Sequence, residues 1–209
     1  CDLYKPVAVF WQQVLKDPNL VADKVQEYHP LPKSDFVSLQ HLLPHMQKPV
    51  NIACSFYVLN RASFSGSTNS GGMSPEHPRF NQASIDRLRE FSALNVEVHH
   101  SDAFVFLKGL MGQNPSGKAI YLDPPYMIKN NLYGNKGDMH RDFDHEKLVE
   151  VVKGLDALGW KIVMSYNNNE DIEKWYSDFE IIPLEWKYGM NNSKESNEIL
   201  IVSKREVKE

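Results

Sequence analysis

The tetrapeptide Asp123-Pro124-Pro125-Tyr126 is the part of the sequence whose residue types best suit chemistry. It follows a run of β-forming residues, 119–122, so it lies where a strand is expected to end. Proline has no N–H, and two prolines in a row leave the carbonyls of Asp123 and Pro124 without a sheet partner. A carboxylate, carbonyl oxygens and a flat ring suit an exocyclic amino group on a planar ring, as in a nucleobase. The alternative is a plain turn with a core tyrosine, but the position after a strand favours a site.

The segments before residue 95 are predicted to be mainly helical, because their apolar residues recur at helical spacing. The predicted helices cover 1–28 as a pair divided at Asp17-Pro18, then 34–47 with a disturbance at Pro44, 51–64 and 84–94. Ser84 is the predicted N-cap of the last helix. Residues 65–80 are rich in Ser, Gly, Asn and Pro, which predicts a loop long enough to have a function.

From residue 95 the pattern alternates between strands and helices. Strands are predicted over 96–102, 119–123, 161–166, 179–188 and 197–204, and helices over 103–111, 145–159 and 169–178. Continuous apolar strands separated by helices indicate an α/β fold with a mostly parallel sheet. The last two strands, joined by a polar turn, indicate a C-terminal antiparallel hairpin.

Composition is that of an ordinary globular protein, with 42% hydrophobic and 24% charged residues in 209. The net charge of −4 argues against an electropositive nucleic-acid binder overall, but a local basic face is compatible with it. No apolar run is long enough to cross a bilayer, so we expect no membrane association. The two cysteines favour a reducing, cytoplasmic location. Four histidines, His99, His100, His140 and His145, lack the spacing of metal ligands, and no metal is expected.

Four further stretches, together with the tetrapeptide, resemble one family. Asp-Pro-Pro-Tyr after a strand is similar to the catalytic motif of S-adenosylmethionine-dependent amino-methyltransferases. The Dam-type, alpha-group DNA adenine methyltransferases have segments similar to CDLYKPVAVFWQQVLKDP (1–18), SFYVLNRASFSG (55–66), KIVMSYNNN (161–169) and NNSKESNEILIV (191–202). The resemblance implies a Rossmann-like methyltransferase fold with a catalytic domain formed by 1–30 and 95–209. A small helical DNA-recognition insertion, 31–94, would interrupt it.

The implied activity is site-specific methyl transfer from S-adenosylmethionine to the N6 amino group of a flipped adenine in double-stranded DNA. The implied setting is bacterial or phage-encoded, in restriction-modification or housekeeping methylation. Two alternatives remain open: an amino-methyltransferase acting on RNA or cytosine, and a non-catalytic DNA-binding remnant. Neither the recognition sequence nor the oligomeric state can be inferred from these residues.

The resemblance also implies roles for individual residues. The catalytic residues would be Asp123, Pro124, Pro125 and Tyr126, and the cofactor would contact Asp2, Asp102, Ala103, Phe104 and Asp123. DNA would contact Asn60, Arg61, Phe64, Ser65, Gly66, Arg79, Lys129 and Lys194. Each of these roles has a simpler alternative. Asp2 and Asp102 would be helix caps, and Phe64 and Phe104 would be buried core residues.

Family members also carry an upstream Phe-x-Gly-x-Gly loop that holds the methionine end of the cofactor. None of the 11 glycines here fits that pattern. We expect such a segment to lie upstream of Cys1 or in a separate chain, and residues 1–209 alone to bind the cofactor weakly.

Overall fold

The computed structural model describes residues 1–68, 71–74, 78–127, 143–184 and 198–204. Among these residues the chain forms two compact units, Cys1–Ala103 and the residues from Phe104 onward. No described helix is long and apolar enough to cross a membrane.

The first unit is helical, as its apolar spacing predicted. Its helices are α1 (Lys5–Lys16), α2 (Pro18–Gln26), α3 (Lys33–Leu42), α4 (Pro49–Ala62) and α5 (Gln82–Arg89), with short 3-10 turns at Leu43–His45 and Phe64–Gly66. The Asp17 carboxylate accepts the N–H of Leu20 at 2.9 Å, and Pro18 occupies the first helical position, so α2 begins where the sequence indicated. The core of this unit lies between the five helices, and α4 contacts α1, α2 and α3.

The start of α5 differs from the prediction that Ser84 caps it. Asn81 is the N-cap, because its side-chain oxygen accepts the Ser84 N–H at 2.9 Å. Ser84 Oγ accepts the Asn81 N–H in return at 3.2 Å, which completes a capping box. The predicted cap residue is therefore the third residue of the helix.

The strand predicted over 96–102 is reduced to a single parallel bridge between Asp2 and His100. Asp2 N–H donates to the His99 carbonyl at 3.1 Å, and Ser101 N–H donates to the Asp2 carbonyl at 3.1 Å. The prediction of a full strand was wrong, since the described residues provide no longer ladder for this segment.

The second unit is an α/β layer built on one sheet. Its elements in chain order are α6 (Ala103–Leu110), β1 (Ala119–Leu122), α7 (His145–Ala157), β2 (Lys161–Asn167), α8 (Glu170–Trp175), β3 (Glu180–Leu184) and β4 (Glu198–Val202). The strand order is β1-β2-β4-β3. β1 pairs with β2 in parallel, whereas β2 with β4 and β3 with β4 are antiparallel.

The predicted C-terminal antiparallel hairpin is confirmed by the β3–β4 pairing. The expectation of a mostly parallel sheet is not met in the described residues, where the four strands form a mixed sheet with one parallel pairing. The parallel pair is nevertheless the one that carries the tetrapeptide. The apolar face of α7 covers this sheet, with Leu148, Val151, Val152 and Leu155 buried.

Candidate active site

Asp123 lies at the carboxyl end of a parallel strand pair. Leu122, the last residue of β1, is in register with Met164 of β2, so both strands run on to the same edge of the sheet. The residues next in line, Asp123 and Ser165, meet there. Ligands of α/β sheets bind beyond the carboxyl ends of parallel strands, so this edge is where a site is expected.

The Asp123 carboxylate is oriented by Ser165. Ser165 Oγ donates to Asp123 Oδ1 at 2.8 Å, and the serine is only 6% exposed whereas the aspartate is exposed. Tyr121 donates its hydroxyl to Ser165 Oγ at 3.1 Å. The resulting chain, from tyrosine to serine to carboxylate, holds one carboxylate oxygen in place and is strengthened by the negative charge at its end.

Asn167 holds the backbone on the other side of the tetrapeptide. Its Oδ1 accepts the N–H of Met127 at 2.7 Å, and its Nδ2 donates to the Met127 carbonyl at 3.1 Å. The amide of Asn167 thus binds both the N–H and the carbonyl of Met127. These two bonds take the place of the sheet hydrogen bonds that end at the prolines. The segment between Asp123 and Met127 is therefore fixed at both ends by β2.

Tyr126 lies over a second tyrosine. Its ring is nearly parallel to that of Tyr166, with an interplanar angle of 19° and ring centroids 6.2 Å apart. Tyr166 is buried, and its hydroxyl is hydrogen-bonded to Nδ1 of His145. Burial raises the pKa of Tyr166, so this hydroxyl is neutral, and burial lowers the pKa of His145 below 6.5 despite the opposing charge of Asp144.

Asp2 lines a cavity of about 380 Å³ in the first unit. The walls also include Glu97 and mostly apolar residues, among them Trp11 and Phe91. Asp2 Oδ1 accepts the N–H of Tyr4, the residue before α1, at 2.7 Å. Asp2 therefore binds the residue before α1, but it is not the N-cap that its simpler interpretation expected, because Tyr4 occupies that position.

The other candidate cofactor residues come shortly after His100, which pairs with Asp2 in the single parallel bridge. Asp102 and Ala103 are half-buried where α6 begins. Phe104 is 9% exposed and packs in the core of the second unit, where it stacks on Phe143 at 5.4 Å and lies 4.5 Å below the ammonium of Lys147. The described contacts of Phe104 are those of a core residue.

Phe64 is the most exposed aromatic side chain among the candidates, at 67%. It lies in the short turn after α4, where its N–H donates to the Gly72 carbonyl at 2.9 Å. Gly66 closes this turn with φ +76°, a left-handed conformation that glycine adopts without strain. The structure thus holds an apolar ring outward on a closed turn.

The side chains of Asn60 and Arg79 bind backbone carbonyls of this turn. Asn60 Nδ2 donates to the Gly66 carbonyl at 3.1 Å, and Arg79 donates to the Ser63 carbonyl at 2.8 Å. Gln40 of α3 donates to the carbonyls of Thr68 and Gly71, both at 2.8 Å.

Four candidate DNA-contacting residues remain, and the structure describes one of them in full, one in part and two not at all. Arg61 is half-buried on α4 with its guanidinium 5.7 Å from the Tyr57 ring centre. The backbone of Ser65 belongs to the turn that carries Phe64, but its side chain is not described. Lys129 and Lys194 lie outside the described residues.

Ser165, Tyr166, Asn167 and His145 were absent from the predicted site. The first three are consecutive at 165–167, at the end of the strand predicted over 161–166. The available signal was polar residues at the end of a strand adjacent to the catalytic one. His145 gave no signal beyond its place next to a helix cap.

The described geometry of this strand edge is a carboxylate held by a serine, next to a pair of stacked tyrosines. A family model of the D12 class N6 adenine-specific DNA methyltransferases matches residues 1–190, which include every element of this edge. The chain belongs to this family. A search of curated proteins finds no match.

Family membership confirms the resemblance given by the motifs. The activity is site-specific methylation of adenine in DNA, and no observation favours RNA, cytosine or a non-catalytic role. Enzymes of this kind generally use S-adenosylmethionine as the methyl donor.

Proposed function

We propose that the strand edge at Asp123 is the base-side half of the methyl-transfer site and that it acts on an adenine flipped out of double-stranded DNA. The Asp123 carboxylate and the Pro124 carbonyl accept hydrogen bonds from the adenine amino group, Pro125 keeps the turn rigid, and Tyr126 stacks on the base. The observation that carries the proposal is the 2.8 Å bond from Ser165, which fixes the carboxylate before any substrate binds.

These residues act by placement and by charge. Two acceptors on the amino hydrogens draw electron density to the nitrogen and direct its lone pair away from the ring plane. A fixed carboxylate does this without reorganisation at the moment of reaction. The side chain needs no proton transfer of its own to orient the attacking nitrogen.

The lining of the cavity beside Asp2 fits the adenosine part of S-adenosylmethionine. Carboxylates accept hydrogen bonds from ribose hydroxyls, and aromatic and aliphatic walls suit a purine. Asp2 would hold the ribose, and Asp102 and Ala103, which follow the segment that bridges to Asp2, would add contacts to the cofactor. When bound, S-adenosylmethionine supplies a methyl group already activated as a sulfonium.

We assign DNA contact to a separate part of the chain. Residues 31–94 would form the recognition insertion in a catalytic domain made of 1–30 and 95–209. Phe64, held outward by its closed turn, would enter the base stack beside the target. The supporting contacts would come from Asn60, Arg61, Ser65, Gly66, Arg79, Lys129 and Lys194.

The test is transfer of tritiated methyl from S-adenosylmethionine to unmethylated duplex DNA of mixed sequence. The protein should include any residues encoded upstream of Cys1. Asp123→Asn keeps the size of the side chain but removes its charge, and we expect at least a 100-fold loss of rate. Asp171→Asn, on an exposed aspartate of α8, is the matched control.

Wild-type transfer with loss only in Asp123→Asn supports the assignment. Equal rates for the two variants would remove Asp123 from the site.

A further inference from the structure

Tyr166 is a tyrosine at a position where packing alone requires no hydroxyl. It is 0% exposed, and on the same face of β2 the residues before it, Ile162 and Met164, are apolar and equally buried. A phenylalanine would fill the same space without the cost of removing a hydroxyl from water. The Tyr166 hydroxyl is hydrogen-bonded to Nδ1 of His145, so the pair forms a directed contact at the edge of a mostly apolar core.

His145 is itself held from two sides. It is the first residue of α7, whose start is fixed by Asp144, with the Asp144 carboxylate accepting the Lys147 N–H at 2.9 Å. The ring of Phe143 packs edge-on against the imidazole, with centroids 5.1 Å apart. The hydrogen-bond partner of Tyr166 is therefore anchored to a helix terminus.

The anchored ring of Tyr166 lies under the ring of Tyr126. The two planes differ by 19° at a centroid distance of 6.2 Å, which is an offset stack. Tyr126 follows two prolines and lies beyond the end of β1, where the β ladder does not set the direction of its side chain. The stack restricts that direction.

We propose that Tyr166, oriented by His145, positions the ring of Tyr126 for stacking against the target base. Both are positioning residues, since neither is asked to touch the reacting atoms. The inference rests on the proposed role of Tyr126. It extends that role by stating what holds the ring at the angle that the base must meet.

The rates of methyl transfer should separate the parts of this arrangement. Tyr166→Leu removes the stack and lowers kcat by about 2- to 10-fold, the value of one aromatic pair. Tyr166→Phe keeps the ring but loses the hydrogen bond, and the decrease is smaller. His145→Gln retains a group that can bond to the tyrosine hydroxyl, so its kcat exceeds that of His145→Ala. KM for S-adenosylmethionine stays unchanged in all four variants.

Tyr176→Phe is the matched control. Tyr176 is also 0% exposed in the same core, but its hydroxyl has no hydrogen-bond partner among the described residues. We expect its kcat to equal that of the wild type. Each variant is assayed well below its own thermal midpoint, so that lost stability does not appear as lost rate.

Three results are decisive. An active wild type with the expected order of kcat among the Tyr166 and His145 variants supports the inference. Wild-type kcat in Tyr166→Leu, or equal kcat in His145→Gln and His145→Ala, would overturn it and leave the proposed function intact. A wild type without any methyl transfer would overturn the proposed function and this inference together.

Discussion

Replacement of Ser165 by alanine tests how far the fixed orientation of the Asp123 carboxylate contributes to rate. The substitution removes one hydroxyl from a 6% exposed position and leaves the strand pairing of β1 and β2 unchanged. The lost bond is 2.8 Å long and ends on a charged acceptor. Hydrogen bonds to charged groups contribute about 1.5–3 kcal/mol.

Asp123 is exposed, so water can replace part of the lost bond, and the lower end of that range applies. About 1.5 kcal/mol corresponds to roughly a tenfold change in rate. The orientation of the carboxylate matters at the moment when the adenine amino group reacts, and not when the DNA binds. We therefore expect a lower kcat and little change in KM for DNA.

The assay is steady-state methyl transfer with saturating S-adenosylmethionine over a range of DNA concentrations, which gives kcat and KM for DNA. Ser203→Ala is the matched control, because Ser203 is a similarly buried serine whose Oγ accepts the Ile162 N–H near the other end of β2. That variant should lose stability but not rate. A Ser165→Ala rate within twofold of the wild type, with Asp123→Asn inactive, would refute the claim that preorganisation by the serine matters.

Three further predictions concern other parts of the protein. Asn167→Ala removes both bonds to Met127 and should lower kcat by about tenfold in the same assay, as expected for two neutral hydrogen bonds. Phe64→Ala should weaken DNA binding by about tenfold in a titration with labelled duplex, whereas Leu94→Ala, at an 88% exposed position, should not. The pKa of His145 is lowered below 6.5, so the unfolded chain binds more protons and stability falls as pH drops through about 6.5. The thermal midpoint of His145→Gln should therefore change less between about pH 7.5 and about 5.5.

Local sequence signals predicted much of the helical structure. Asp17-Pro18 and Asp144 each precede a helix and each cap it, because the cap and the N–H groups that it binds are within three residues of each other. The wrong prediction of Ser84 as N-cap also concerns residues only three positions apart. Asn81 and Ser84 are both suitable caps, and only the geometry of the turn decides which residue lies outside the helix.

Contacts within the site could not be read from the sequence in the same way. Ser165 and Asp123 are 42 residues apart, and Asn167 and Met127 are 40 apart. Which polar residue of β2 meets which residue after β1 depends on the register of the two strands, and a shift of one residue would turn each side chain to the other face.

Arg79 is a residue that was predicted to contact DNA because of its residue type and its place in a polar loop. In the structure its guanidinium donates to the Ser63 carbonyl. A charged side chain can satisfy a backbone group as well as a ligand, and composition does not distinguish the two.

Identification of the methylated nucleoside tests directly whether Asp123 serves the methylation of adenine. Unmethylated duplex DNA is incubated with S-adenosylmethionine and either the wild type or Asp123→Asn, digested to nucleosides and separated by liquid chromatography with mass detection. The account predicts N6-methyladenine from the wild type and at least 100-fold less from Asp123→Asn. N4-methylcytosine as the product, or equal N6-methyladenine from both proteins, would contradict it.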